Sequence, residues 1–316
     1  MTLDPKHTAF VFPGQGSQVV GMGKTLADAH PAARRLFEEM DSILGFPLTR
    51  LCWEGPDTEL GDTFNTQPAL LTHSVAAWRV LTDALGGFRP LCVAGHSMGE
   101  FSALVAAGAL PFADAVRLTR ERGRVMREAG KNTPGGMAAV LNLDAAALEK
   151  VCARAAQETG GIVGVANDNC PGQVVISGEA QALERAMALA LQNGARRAVR
   201  LNVSIGSHSP LMRGAALEFA KAVNAAPLSD PTVPLVGNVG ASPLRTAGEL
   251  RDDVNAQLTS PVRWVESVRA MQALGADTFI ELGSKDVLTG LIKRIDPAVR
   301  TLAAGSPSEI RSVLGV

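Results

Sequence analysis

The chain has 316 residues, 46% of them hydrophobic and 19% charged, with 30 basic against 31 acidic side chains. That length buries one large core, or a core with a smaller satellite. The balanced charge argues against a protein built to grip nucleic acid or a membrane surface, so any partner must dock on a local patch. No apolar run reaches the roughly 18 residues of a membrane span, and the N-terminal MTLDPKHTAF lacks a signal-peptide pattern. Cys52, Cys92, Cys152 and Cys170 show neither a CxxC pair nor zinc spacing. Free thiols in a reducing cytoplasm are expected.

In chain order, the apolar run Ala9 to Phe12 predicts a strand, which breaks into the turn Pro13-Gly14-Gln15-Gly16-Ser17-Gln18. Pro31, Pro68 and Pro210 each stand before a run with helical period, where proline is tolerated as the first helical residue. A second buried strand reads Leu91 to Ala94, followed at once by Gly95-His96-Ser97-Met98-Gly99 and a helix of small residues. Phe112 to Ala129 predicts a helix ending at Gly130. Further strands read Val233 to Val236 and Thr278 to Leu282. Apolar strands alternating with helices point to a parallel sheet covered on both faces.

The middle differs. Strand 137–143, helix 145–156, strands 162–166 and 173–177, helix 180–192 and strand 197–203 form a β-α-β-β-α-β succession, the ferredoxin-like split unit. We assign 133–203 to this unit, inserted at Thr133-Pro134-Gly135-Gly136 between two parts, 1–132 and 204–316, of one larger domain.

Gly95-His96-Ser97-Met98-Gly99 fits G-x-S-x-G at a strand-to-helix turn, where the glycines permit a strained backbone that holds the hydroxyl above the sheet. The bland alternative is a glycine-rich turn with a capping serine. A serine nucleophile needs a base, and the five histidines leave one candidate. His7 precedes the first strand, His30 and His73 lie in helical contexts, and adjacent side chains at a sharp turn diverge, which excludes His96. His208 follows the serine in the order of G-x-S-x-G hydrolase folds. The following Ser209-Pro210 reads as a helix N-cap and first residue, and a helix N-terminus disfavours imidazolium. No carboxylate completes a triad, so a backbone carbonyl is left to orient the ring.

At about 100° per residue, Arg122 lies within roughly 60° of Ala115, Leu118, Val125, Met126 and Ala129, the apolar stripe of its helix. Arg117, Arg120, Arg124 and Arg127 fall on other faces as solvated charges. A buried arginine is costly unless an anion meets it, and its planar fork suits a carboxylate. A structural ion pair with Glu100 is the open alternative. Two nucleotide motifs fail. Gly23-Lys24-Thr25 has Gln18 where a P-loop needs glycine, and Gly14-x-Gly16 has Val19 where a dinucleotide fingerprint does.

The segments FPGQGSQ (Phe12–Gln18), TQPAL (Thr66–Leu70), GHSMGE (Gly95–Glu100), RGRVM (Arg122–Met126), PGQVVISG (Pro171–Gly178), GSHSPLM (Gly206–Met212) and SPVRW (Ser260–Trp264) occur together in order. In this the chain closely resembles the malonyl-CoA:acyl carrier protein transacylase family over nearly its whole length. The resemblance implies an α/β-hydrolase-like parallel-sheet domain with an inserted ferredoxin-like subdomain. It implies a malonyl-serine ester on Ser97, His208 as base set by main-chain carbonyls near Gln257, and an oxyanion hole from the Gln15 and Met98 backbone N–H groups. Arg122 resembles the malonyl carboxylate receptor, with Gln67 beside it and Asn169 and Gln257 lining the site.

The resemblance further implies a cytoplasmic acyltransferase of fatty acid synthesis, expected as a monomer, with malonyl-CoA and an acidic acyl carrier protein as partners. No metal or other cofactor is expected. Arg196-Arg197 and Lys293-Arg294 are candidates for a basic rim. Two departures from the family pattern stand out: Met98 in place of leucine, and Gly283-Ser284-Lys285 in place of Gly-Pro-Gly. Ser207 occupies a position that in related modular enzymes tracks acceptance of a methyl branch. A serine thioesterase, a non-catalytic carrier-binding module, and an acyltransferase of a polyketide or malonate decarboxylase system remain the alternatives.

Overall fold

A computed structural model describes residues 3–132 and 134–316. Thr133, where the inserted unit was expected to begin, and the first two residues of the N-terminal segment lie outside the described residues.

The chain starts in β1 (Thr8–Phe12) and passes through the short helices α1 (Lys24–Ala29), α2 (Pro31–Leu44), α3 (Leu48–Glu54) and α4 (Asp57–Leu60). The long α5 (Thr63–Ala84) returns to β2 (Cys92–Gly95), followed by α6 (Gly99–Ala106) and α7 (Phe112–Asn132). After the smaller unit come a single 3₁₀ turn (Pro210–Met212), α10 (Arg213–Ala225), β7 (Leu235–Val236), β8 (Pro243–Leu244) and α11 (Ala247–Gln257). The chain closes with α12 (Trp264–Leu274), β9 (Thr278–Glu281), α13 (Val287–Ile295), β10 (Arg300–Ala303) and α14 (Pro307–Leu314).

Six strands form one sheet in the order β10-β9-β1-β2-β7-β8, parallel except for the β7–β8 pair. Successive side chains of a strand face opposite ways, and β1 feeds two cores accordingly. Phe10 and Phe12 enter the larger core, while Ala9 and Val11 enter the core built around Trp264 and Phe279. Burial on both faces is why β1 and β2 read as unbroken apolar runs.

The smaller unit consists of β3 (Gly135–Leu141), α8 (Ala145–Thr159), β4 (Val163–Cys170), β5 (Gln173–Glu179), α9 (Ala180–Gln192) and β6 (Arg197–Arg200). Its strands run antiparallel in the order β4-β5-β3-β6, the ferredoxin-like arrangement. α8 and α9 cover one face with a core of their own. The unit is tied to the larger sheet domain at β4: Asp168 donates its N–H to the Val262 carbonyl, Val262 donates to Ala166, and Cys170 enters the Trp264 core.

Four expectations change in three dimensions. Pro68 lies inside α5, which begins earlier because Asp62 caps it by accepting the Phe64 N–H. The hydrogen bond that Pro68 cannot donate leaves the Phe64 carbonyl free, and Arg120 donates to it at 2.7 Å. Arg120 is accordingly half-buried over the Phe64 ring and is no ordinary solvated charge. Gly130 does not end α7, which runs on to Asn132. It admits a neighbour instead, since a Cβ there would sit 2.7 Å from Ile205 Cγ1. The last strand of the smaller unit stops at Arg200; beyond it the ladder is irregular, with Leu201 donating to the Met137 carbonyl and Ser204 accepting from the Gly135 N–H of β3.

At Gly99 a Cβ would meet the Phe12 carbonyl oxygen at 2.1 Å, a backbone atom of the central strand that cannot yield. Gly99→Ala should therefore cost about 3 kcal/mol or more. Gly130→Ala requires Ile205 to shift but gains helix propensity of about 1 kcal/mol, so it should cost clearly less than Gly99→Ala. Denaturant midpoints of the two variants check the contrast.

Candidate active site

β1 and β2 end side by side, and the loops leaving their carboxyl ends build the site, the usual place in an open parallel sheet. Ser97 has φ 51°, a left-handed conformation that costs a non-glycine residue energy. Its surroundings over-determine it. A Cβ on Gly95 would lie 2.0 Å from the Gly99 carbonyl carbon, so only glycine lets strand and helix meet this closely. Asn238 holds both sides of the turn: its Oδ1 accepts the Ser97 N–H at 2.7 Å and its Nδ2 donates to the Gly95 carbonyl at 2.7 Å. Asn238 escaped the sequence reading, although an asparagine between glycines just after a buried strand was the signal available.

His208 also has positive φ, 56°. Its Nε2 lies 2.8 Å from Ser97 Oγ, while Nδ1 lies 3.0 Å from the Gln257 carbonyl and 3.1 Å from that of Ser260. Two carbonyls demand a proton on Nδ1, which leaves Nε2 as the acceptor for the serine hydroxyl. Burial first, and then the charge of Arg122, push this imidazole down to about 3. The 3₁₀ turn Pro210–Met212 runs straight into α10, so a helix does begin just beyond His208, but Ser209 does not cap it: its Oγ donates to the Gly206 carbonyl. His96 Nε2 instead lies 2.8 Å from Asn169 Oδ1, and its ring packs edge-on against Trp264.

Arg122 is 1% exposed. Its Nη1 donates to Gln67 Oε1 at 2.9 Å and to Met126 Sδ at 3.3 Å; its Nη2 donates to Gln257 Oε1 at 2.8 Å and Ser97 Oγ at 3.1 Å. Among the described residues no carboxylate lies within ion-pair distance of it. Glu100, the alternative partner, is separated from it by the Gln257 amide, which bridges the two. Burial lowers the guanidinium to about 10, so it stays charged at neutral pH.

The Gln15 and Met98 backbone N–H groups have no acceptor among the described residues. The Gln15 side chain is tethered through Thr63, which donates to Gln15 Oε1 at 2.9 Å and accepts from Gln67 at 2.8 Å. Lys285 Nζ donates to the Gly16 carbonyl at 3.1 Å, so the altered 283–285 loop steadies the same turn. Gln15, Thr63, Arg127, Arg200 and the segment 201–205 line an open cleft of about 620 Å³. Ser97, His208, Arg122, Gln67 and Gln257 thus form one connected cluster. Asn169 joins it only through His96.

Lys293 and Arg294 are exposed, and neutral acceptors anchor both side chains. Arg294 donates to Gln173 and to the Pro171 carbonyl, and Lys293 to the Pro297 and Val299 carbonyls. Arg196 and Arg197 are exposed.

Residues 9–300 match the model of the acyl transferase domain. The chain belongs to that family. It is 46% identical over 302 residues to the malonyl CoA-acyl carrier protein transacylase of Bacillus subtilis, covering 96% of this chain and 94% of that one. The crystal structure of an acyl carrier protein S-malonyltransferase from Vibrio cholerae superposes with a TM-score of 0.93 at 43% identity, over 97% and 99% of the two chains. A malonyl-transacylase solved in complex with its type II polyketide acyl carrier protein gives 0.94 at 41%, over 98% and 99%.

If Arg122 depresses the imidazole, its removal must raise the pH at which His208 protonates, because a nearby positive charge disfavours imidazolium. Inactivation of Ser97 by phenylmethylsulfonyl fluoride reads the neutral base without any acyl substrate. In wild type the rate should hold well below the ordinary histidine range as pH falls. In Arg122→Ala the acid limb should move upward, and an unmoved limb would assign the depression to burial alone.

Proposed function

We propose that this chain transfers a malonyl group from malonyl-CoA to the phosphopantetheine thiol of an acyl carrier protein through a malonyl ester of Ser97. The observation that carries this reading is a buried arginine without an internal carboxylate, 3.1 Å from a serine oxygen that is hydrogen-bonded to a neutral histidine. An acyl group on that oxygen lies beside the guanidinium, which suits a carboxylate carried on a short acyl chain. The names and partners of the similar proteins support it.

In this scheme His208 Nε2 takes the Ser97 proton as Oγ attacks the thioester carbonyl carbon. The oxyanion forms against the Gln15 and Met98 N–H groups, each worth about 10²–10³ in rate in comparable sites. The C–S bond then breaks, and the imidazolium protonates the departing CoA thiolate. The carrier thiol repeats these steps in reverse, giving back the free serine. A carboxylate on Arg122 offsets one of the influences that depress His208, so the malonyl substrate strengthens the base as it binds. Arg127, 3.6 Å from Asp62, and Arg200, paired with Glu184, are the arginines of the cleft beside Gln15 that the anionic part of the donor would meet. One thioester is exchanged for another, so the scheme calls on no metal, nucleotide or redox group. Four buried free thiols support a reducing compartment, the cytoplasm, and we assign the chain a monomeric state there.

Intact-mass analysis after malonyl-CoA addition tests the reading. An adduct should form on wild type, be absent in Ser97→Ala, and leave only when acyl carrier protein is added; rapid loss to free malonate without the carrier would favour a hydrolase.

Arg122→Ala should lower kcat/KM for malonyl-CoA by about 30- to several-thousand-fold, the consequence of removing one partner of a buried charge pair. Acetyl-CoA, which has no carboxylate, should lose far less. Equal losses on both thioesters with a large fall in melting temperature would make Arg122 a structural residue.

A further inference from the structure

Behind Arg122 lies a second buried charge system. Glu100 on α6 is 0% exposed, and its Oε2 accepts from Gln257 Nε2 at 2.6 Å. Its Oε1 has no donor, which would leave an ionised oxygen unsolvated. The Asp253 carboxylate, one turn before Gln257 on α11, is its hydrogen-bonding neighbour. Burial raises the Asp253 carboxyl too, but unlike Glu100 it has backbone donors that favour its anion: the N–H groups of Asn238 at 3.2 Å, Val239 at 3.3 Å and Gly240 at 3.4 Å. Two buried carboxyls in contact cannot both carry charge, and the one with three N–H donors keeps it.

We propose that Glu100 is held as the neutral acid, donating its Oε1–H to Asp253, and that this neutrality keeps the charge of Arg122 free for the substrate carboxylate. The proton sits on the one oxygen that lacks a donor, so every polar atom of the pair is satisfied. Neutral Glu100 still accepts from Gln257, which fixes that amide with Oε1 toward Arg122 and Nε2 toward Glu100 and the Ser97 carbonyl. An ionised Glu100 would instead place an internal anion one amide away from Arg122 and compete with the substrate. Glu100 is thus a positioning and selectivity residue. The charged groups facing it are Asp253 from α11 and Arg122 from α7, with His208 reached through Ser97. Burial and the Asp253 charge both push its carboxyl well above the ordinary range.

The inference rests on the malonyl-transfer reading only for the choice of substrates, so the test has two independent arms. In the first, the infrared difference spectrum of wild type minus Glu100→Gln at neutral pH should show a protonated-carboxyl stretch that shifts in D₂O. In Asp253→Asn the same band should vanish at a lower pH than in wild type, because the charge opposing ionisation of Glu100 is gone. Absence of the band from the wild-type spectrum, or its insensitivity to Asp253→Asn, would overturn the proposal whatever the substrate proves to be. In the second arm, Glu100→Gln, an isostere of the neutral acid, should keep the malonyl-to-acetyl ratio of kcat/KM within about threefold of wild type. That ratio should fall at alkaline pH in wild type and stay level in Glu100→Gln. A tenfold or greater loss of the ratio in a folded Glu100→Gln would show that the carboxylate form is required. Failure of both thioesters to acylate Ser97 would defeat the transfer reading and leave the infrared result standing.

Discussion

Burying Arg122 removes a full charge from water, and the fold meets it with two amide oxygens, a hydroxyl and a thioether. Such partners compensate a cation incompletely, which leaves a site whose affinity is directed at an anion. Other features of the cluster follow from that charge. It helps to depress His208, it fixes the side chains of Gln67 and Gln257, and it lies within hydrogen-bonding distance of Ser97. A carboxylate of the protein at the same place would stabilise the fold and remove the function.

Gln257 concentrates these relations in one residue. Its backbone carbonyl orients His208, its side-chain oxygen meets Arg122, and its amide nitrogen meets both Glu100 and the Ser97 carbonyl. Because α11 also carries Asp253, and Asp253 pins the turn that presents Asn238, one short helix governs the base, the receptor and the strained serine turn. This explains how a histidine without a carboxylate partner can be held in one tautomer. Two backbone carbonyls fixed by a helix end do the orienting, and they add no negative charge that would compete for Arg122.

Much of this was legible in the residues. The glycines around Ser97 gave the elbow because a Cβ at Gly95 or Gly99 would collide with backbone, a constraint local to a few residues. The apolar stripe around Arg122 follows from helical periodicity alone, and the unbroken apolar runs of β1 and β2 follow from burial on both faces. Elimination among five histidines led to His208. The pairings that complete the site were not legible, since Asn238 and Asp253 reach it from separate elements. Pro68 and Gly130 misled for a related reason. Each reads locally as a helix boundary, yet Arg120 takes up the carbonyl freed by the one and Ile205 packs against the other.

The sequence by itself therefore determined the elements, the serine turn, the identity of the base and the presence of a buried cation, because backbone sterics and side-chain period act over a few residues. Only the tertiary structure decided what stands opposite that cation. Whether Glu100 neutralises Arg122 depends on a contact across 22 residues of chain and on the Gln257 amide that intervenes from 135 residues further on, a distance in sequence that no local pattern encodes.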